Sequence, residues 1–281
     1  MVCLLWGTTY LGIRITLETM PPLLMAGIRW SAAGAIILGV LAARGARIPG
    51  PAEWPALIVL GILLLGLGNG FVVLAELTIP SGLAAVLVAA VPFWMVAVER
   101  LMSPADRISG RKMLGLIIGF GGIVLLVWPE LQIGASRGFL LGVGATQIAC
   151  LGWAVGSSYS RRRGAHENVL AVAALQMLFG GLVLAASGLV LGEWGSFAYN
   201  SRTIGALIYL IFAGAIAGFS AYAYALKHLP VATVSLYAYI NPIIAVVLGT
   251  LVLGEPLSPR LAAAGAVVLA GMALVRQPAD R

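Results

Sequence analysis

Charge is what this sequence lacks. Asp, Glu, Lys and Arg make up 10% of its 281 residues, where a soluble globular domain carries roughly 25%. Hydrophobic residues make up 61%, so the chain cannot cover a water-facing surface and reads as a membrane protein. Histidine and cysteine are nearly as rare, at two residues each. No His/Cys/Asp/Glu grouping has metal-ligand spacing. No Ser/His/acid set can gather on one side of a membrane, and no Walker-type loop is present to couple ATP to a pump. We therefore expect no catalytic residue, no metal and no cofactor. A membrane-embedded enzyme is the competing class, and purified protein in liposomes that moves a solute without altering it separates the two. Cys3 and Cys150 both fall in apolar stretches, which gives no support for a disulfide.

What is present is a series of apolar runs. A helix crossing the roughly 30 Å hydrocarbon layer needs about 20 mostly apolar residues. Charge-free runs occupy 54–75, 138–160, 168–192, 203–226 and 229–254, with shorter ones at 82–98, 113–128 and 261–275. Two more, 2–17 and 23–43, hold one arginine each, which makes ten expected spans. They leave connections too short for a soluble domain. Unbroken runs exclude a membrane barrel, whose segments alternate. The first run has no basic n-region and no cleavage pattern, so it reads as a membrane helix rather than a signal peptide. Its apolar start at Val2 leads us to expect a few cytoplasmic residues upstream.

The formal charge of +7 would suit a nucleic-acid binder, but its placement argues otherwise. With ten spans, one set of connections carries Arg44, Arg47, Arg100, Arg107, Arg111, Lys112, Arg161, Arg162, Arg163, Lys227, Arg276 and Arg281, while the other carries Arg14, Arg137, Arg202 and Arg260. Basic residues concentrate on the cytoplasmic side. Both termini are expected there, and the run Arg161 to Arg163 is a topology signal, not a nucleic-acid site. The expected partners are a small-molecule substrate and the lipid bilayer, with the chain a monomer or a weak homodimer.

The sequence also repeats. An offset of 147 aligns Cys3, Leu4, Trp6 and Gly34 with Cys150, Leu151, Trp153 and Gly181. An offset of 150 aligns Leu57, Leu60, Gly68, Pro80 and Pro92 with Leu207, Leu210, Gly218, Pro230 and Pro242, and an offset of 149 aligns Asp106, Ser109, Arg111 and Gly122 with Glu255, Ser258, Arg260 and Gly271. An ordered set at a nearly constant offset reads as a duplication into halves 1–128 and 137–276. Five spans per half is an odd number, so the second half inserts upside down. That is the inverted-repeat plan of many secondary transporters, with a midplane site between halves that rock to give alternating access.

Trp6-Gly7 in the first span, Arg29 in the second, Pro92 in the fourth, and Gly254-Glu255-Pro256-Leu257-Ser258 before a final span with Gly265 and Gly271 together resemble the EamA-type transporters of the drug/metabolite transporter superfamily. The resemblance spans the whole chain. It implies an inner-membrane permease, commonly an exporter of amino acids or related metabolites, with a cavity lined by the first four helices of each half and the fifth and tenth lying peripherally. Efflux of drugs or cationic compounds is the alternative within the same superfamily. One departure is Asp106, in a Ser103-Pro104-Ala105-Asp106 setting, where the second half has Glu255.

Candidate substrate-binding residues follow from helical spacing. Trp6, Thr9, Tyr10 and Ile13 share one face of the first span, and Thr146, Cys150, Trp153 and Ser157 form a similar stripe in the sixth. Rings with a few hydroxyls suit a small zwitterionic or amphipathic ligand; the alternative is an aromatic belt and hydroxyls bonded to their own helix. Asn69 in the third span, and Asn241 with Thr233 and Tyr237 in the ninth, either face the cavity or bridge helices. Trp94 completes the set. Pro92 and Pro242 each remove a backbone hydrogen bond inside a span and read as paired hinges. Arg29 is an intramembrane charge that binds a substrate carboxylate, pairs with Glu76 or snorkels. Glycines four apart, such as Gly152 and Gly156 or Gly214 and Gly218, read as helix packing. No carboxylate is expected mid-span, since Glu76 and Glu99 fall near helix ends.

Overall fold

A backbone surrounded by lipid must satisfy its own polar groups, and helices do so within one segment. The computed structural model describes residues 1–102, 110–132, 136–163, 168–228 and 237–276, and no strand occurs among them. Six helices are long and apolar enough to cross a membrane, at Pro22–Ala43, Trp54–Ala75, Ser81–Met102, Arg137–Arg162, Val169–Val190 and Ser201–Tyr222. Three shorter apolar helices cover Met113–Trp128, Ile240–Leu253 and Pro259–Leu274.

The first expected span, 2–17, is divided at Thr8 into α1 (Val2–Gly7) and α2 (Thr9–Thr16). The Thr8 hydroxyl donates back to the Leu4 and Leu5 carbonyls at 2.8 and 3.0 Å, a bond pattern that bends helices. After α3 (Pro22–Ala43), the third span is α4 (Trp54–Gly61), a π-helical stretch Ile62–Asn69 and α5 (Gly70–Ala75). The fourth divides into α6 (Ser81–Val88) and α7 (Val91–Met102). Pro92 therefore lies in the first turn of α7, where its missing N–H costs little, rather than mid-helix as its place in the run suggests. Then come α8 (Gly110–Gln132), α9 (Arg137–Arg162) and α10 (Val169–Val190). The next run comprises α11 (Ser201–Tyr209), a second π-helical stretch Leu210–Ala217 and α12 (Gly218–His228), followed by α13 (Tyr237–Leu253), with Pro242 inside it, and α14 (Pro259–Arg276). The start of the expected ninth span, with Pro230 and Thr233, lies outside the described residues, as do Asp106 and His166.

Helix starts show two kinds of cap. Local ones are ordinary: Ser136 accepts from Phe139 N, Asn168 from Ala171 N, and Asn200 forms a capping box with Thr203. At α3 and α6 the cap positions are Pro21 and Pro80, which have no side-chain oxygen to offer. Distant carboxylates serve instead. Glu193 accepts from Leu23 N and Leu24 N at 3.3 and 2.8 Å. Glu255 accepts from Ser81 N, Ser81 Oγ and Gly82 N at 2.8, 3.0 and 3.1 Å.

Glycine sets the closest helix pairs. A Cβ at Gly34 in α3 would stand 2.6 Å from the Ala174 carbonyl of α10, and one at Gly181 in α10 would stand 2.6 Å from Ser31 Oγ of α3. Likewise Gly122 of α8 abuts Val268 and Ala264 of α14, while Gly271 of α14 abuts Gly115 and Gly119 of α8. The four-apart glycines behave the same way within this chain: Gly142 meets Thr78 and Ile79, Gly152 meets Leu67, and Gly156 meets Leu64. Cys150 is buried and both cysteines are free.

Candidate functional site

The two repeat-related tryptophans occupy matching positions. Trp6 of α1 lies on Gly218, where a Cβ would stand 2.5 Å from its Nε1, and that nitrogen donates to the Gly214 carbonyl at 3.1 Å. Trp153 of α9 lies on Gly68, where a Cβ would stand 3.1 Å from its ring. Gly68 is the last residue but one of the first π-helical stretch and Gly218 follows the second, and the absent side chain lets each indole approach the backbone closely.

Around Trp6 the structure builds an aromatic group. Its ring is 5.2 Å from Phe219, 5.1 Å from Tyr222 and 4.9 Å from Tyr237, in edge or tilted geometries that aromatic quadrupoles favour. Phe219 also contacts Trp30 at 5.8 Å. Of the expected residues, Trp6 and Tyr237 thus meet, joined by Phe219 and Tyr222.

Trp94 stands in a second group, donating to Gln147 Oε1 at 3.0 Å and packing on Phe120 at 6.3 Å. Thr9 is buried and donates to the Trp6 carbonyl at 2.6 Å; Thr146 does the same to Val143 at 2.7 Å. Asn69 donates to the Leu64 carbonyl at 3.5 Å, inside its own π-helical stretch. Asn241, oriented with its amide nitrogen toward α1, donates to the Cys3 carbonyl at 3.0 Å and to Tyr237 O at 2.9 Å. Its amide thus bridges helices, one of the two roles expected for it. Tyr10, Trp153 and Ser157 are half-buried.

Two opposite charges lie deep between the helices. Arg29 in α3 is 3% exposed, and Glu76, just past α5, is 0% exposed. The Arg29 Nε and Nη1 and both Glu76 carboxylate oxygens are buried without a hydrogen-bond partner. Burying charge without a partner is costly, so these atoms need an account. Glu76 lies in the field of Arg14, Arg29 and Glu255, and Arg14 Nη1 donates to its main-chain oxygen. Glu76 lies at a helix end, as expected. Its side chain is nonetheless buried, as are Ala75 and Ile79, while Leu77 between them is exposed.

Next to this turn opens a cavity of about 440 Å3, lined by Arg14, Glu18, Leu77, Thr78, Ile79, Pro80, Leu253, Glu255 and Pro256. None of the expected substrate residues lines it. Sequence reasoning passed over Gln147 and Phe219. Gln147 is the one amide in an otherwise charge-free run, and a polar side chain held at membrane depth is itself a signal.

Bundled apolar helices with charge and amides turned inward define a multi-pass membrane protein. The chain belongs to the EamA-like transporter family, which it matches over residues 1–128 and again over 140–277. It is 37% identical to the uncharacterized inner membrane transporter YedA of Escherichia coli K12 over 258 residues, covering 91% of this chain and 81% of that protein. It is 25% identical to a probable amino-acid metabolite efflux pump of Salmonella typhimurium over 286 residues, covering 97% and 91%. A chain of known crystal structure, 23% identical, has the same fold with a TM-score of 0.69 over 98% of this chain and 93% of that one.

Proposed function

We propose that this transporter is a secondary permease of the bacterial inner membrane, with ten spans in two inverted five-helix halves, 1–128 and 137–276. It exports small amphipathic metabolites, amino acids foremost, by alternating access, with both termini cytoplasmic and no cofactor. The observation that carries the two-half reading is reciprocal packing: Trp6 of the first half lies on Gly218 of the second, and Trp153 of the second lies on Gly68 of the first. Such an exchange of equivalent residues is what a twofold relation between halves produces, and Gly34 with Gly181 and Gly122 with Gly271 repeat it at two helix pairs. Five spans per half, an odd number, then make the relation inverted.

The substrate path passes between the halves beside Trp6, Thr9, Tyr10, Asn69, Trp94, Trp153, Ser157, Tyr237 and Asn241, with Pro92 and Pro242 as hinges. The amino-acid preference is supported by the aromatic group around Trp6 and by the relative named an amino-acid metabolite efflux pump. The test is counterflow in proteoliposomes against a panel of amino acids, purines and cationic drugs, with and without a proton uncoupler. Amino-acid exchange without chemical change is expected. Exchange of cationic drugs alone moves the reading to multidrug efflux, and chemical conversion of the solute overturns it.

A further inference from the structure

We propose that the corner where α3 and α9 end and α4 and α10 begin binds the phosphate of an acidic phospholipid, with Arg163 and Arg44 as its cations and Trp54 at the depth of the lipid's glycerol. The proposal needs only a chain embedded in a bilayer and is independent of what that chain carries. Packing assembles the corner. Tyr159, near the end of α9, sits on a small cluster made by Leu57 and Leu60 of α4, Val172 and Leu175 of α10, and Ile48 of the connection between α3 and α4. Asn168 at the head of α10 donates to the Arg47 carbonyl at 3.1 Å and ties that connection down. Antiparallel packing of α3 on α10, Gly27 against Ala185 and Gly34 against Ala174, carries Arg44 to the same end.

Arg163 is mounted on this cluster. Its Nη1 donates to the Tyr159 hydroxyl at 3.0 Å, and its guanidinium carbon stands 5.7 Å from the centre of that ring. The bond uses one of the five N–H donors of a guanidinium, and a group steadied in this way offers a phosphate the two-pronged approach that suits it. A topology signal requires only that basic residues be numerous on one side; it does not require an arginine docked on a tyrosine between helices. Arg161 serves elsewhere, pairing with Glu99 of α7. Glu53, just before α4, offsets one positive charge of the corner, and Arg44, Arg47 and Arg163 leave a surplus. The membrane-facing side is graded to match a lipid. Trp54 is exposed, with its indole nitrogen donating to the Pro49 carbonyl at 3.2 Å and its ring 5.7 Å from Phe179 of α10, a placement that suits the headgroup level. Ile58 and Ile62, one and two turns deeper on the same face, are half-buried and give an acyl chain a wall. Basic pockets between spans with this arrangement take lipid phosphates.

The test is titration of detergent-purified protein with phosphatidylglycerol or phosphatidylcholine carrying brominated acyl chains, read by quenching of tryptophan fluorescence. Each arginine near the surface is worth about fivefold toward an acidic lipid, so wild type should bind phosphatidylglycerol about tenfold or more tightly than phosphatidylcholine. Trp54→Phe should remove most of the saturable quenching. Arg163→Gln and Arg44→Gln should each lose about fivefold for phosphatidylglycerol and nothing for phosphatidylcholine, and the double variant should show no preference. Arg163→Lys keeps the charge without the fork and should lose less than Arg163→Gln. Arg202→Gln, in the exposed pair with Glu18 at the opposite end, should lose nothing. Inorganic phosphate should displace no more lipid than chloride at equal ionic strength. Equal affinity for the two lipids, an undiminished preference in the double variant, the same loss from Arg202→Gln, or quenching unchanged in Trp54→Phe would overturn the site. Displacement by inorganic phosphate beyond that by chloride would assign the corner to a free anion and overturn the lipid reading.

Discussion

Glu255→Ala is the substitution whose cost the structure specifies best. Its carboxylate receives three hydrogen bonds at the start of α6, from Ser81 N, Ser81 Oγ and Gly82 N. Pro80 leaves α6 without a cap of its own, so nothing local replaces them. Hydrogen bonds to a charged group are worth about 1.5–3 kcal/mol each in favourable settings, and a lost cap costs about 0.5–2 kcal/mol. Glu255 is half-exposed, so the pair interaction is partly screened and the whole is about 2–3 kcal/mol. At about 2–4 °C per kcal/mol for a chain of this size, the melting temperature of purified protein should fall by roughly 5–10 °C. Glu255→Gln should cost about half as much. Its amide oxygen replaces Oε1 toward Ser81 N, but its NH2 then faces the Gly82 N–H and can only donate to the Ser81 hydroxyl. The assay is tryptophan-fluorescence melting in detergent, with Glu193→Ala as a second arm that removes two such bonds from α3. A melting temperature for Glu255→Ala within about 2 °C of wild type, or a Gln variant as damaged as the Ala variant, would refute the capping argument.

Gly34→Val places side-chain carbon against the Ala174 backbone, which cannot yield, and should cost at least the 1–3 kcal/mol typical of overpacking, read as lost monodisperse yield and melting temperature. Gly144→Ala, where a Cβ meets open space, should be neutral or stabilise by about 0.5–1 kcal/mol. Pro92→Ala and Pro242→Ala should each slow counterflow while leaving melting intact, and two variants at wild-type rate would end the hinge reading. Cys150, buried between α6 and α9, should resist maleimide in folded protein and react on unfolding, while the half-buried Cys3 labels first, read by mass spectrometry.

The helices were legible because hydropathy and length decide them, and the glycine positions because close packing needs small residues. Interruptions were less so. Nothing in the apolar run 62–69 distinguishes a π-helical stretch from an α-helix, because both bury the same side chains; the difference shows only where Trp153 packs on Gly68. The roles of Glu255 and Glu193 were illegible for another reason: their bonds reach across 174 and 170 residues, and no local pattern encodes a distant helix start. Glu76 does fall at a helix end, as expected, but hydropathy marks where a run ends and not whether the side chain there is buried.

The two ends of the bundle are fastened by bonds of different kinds. At one end, the Glu255 and Glu193 caps join residues far apart in the chain through charge-assisted bonds to backbone N–H groups. Beside them the Arg202–Glu18 pair, at 3.2 Å with side chains 54% and 40% exposed, belongs to a class worth about 0–1 kcal/mol. At the other end, Glu99 accepts from Ser158 at 2.6 Å and pairs with the mostly exposed Arg161 at 3.2 Å. At the same end Asn168 Nδ2 donates to the Arg47 carbonyl at 3.1 Å. On the alternating-access reading proposed above, opening at the Glu255 end costs little if the caps travel with the moving helices. Because Glu255 lies just before α14 and caps α6, the proposed alternating access is expected to keep α6 and the 254–258 segment as one body and to part the Arg202–Glu18 contact instead.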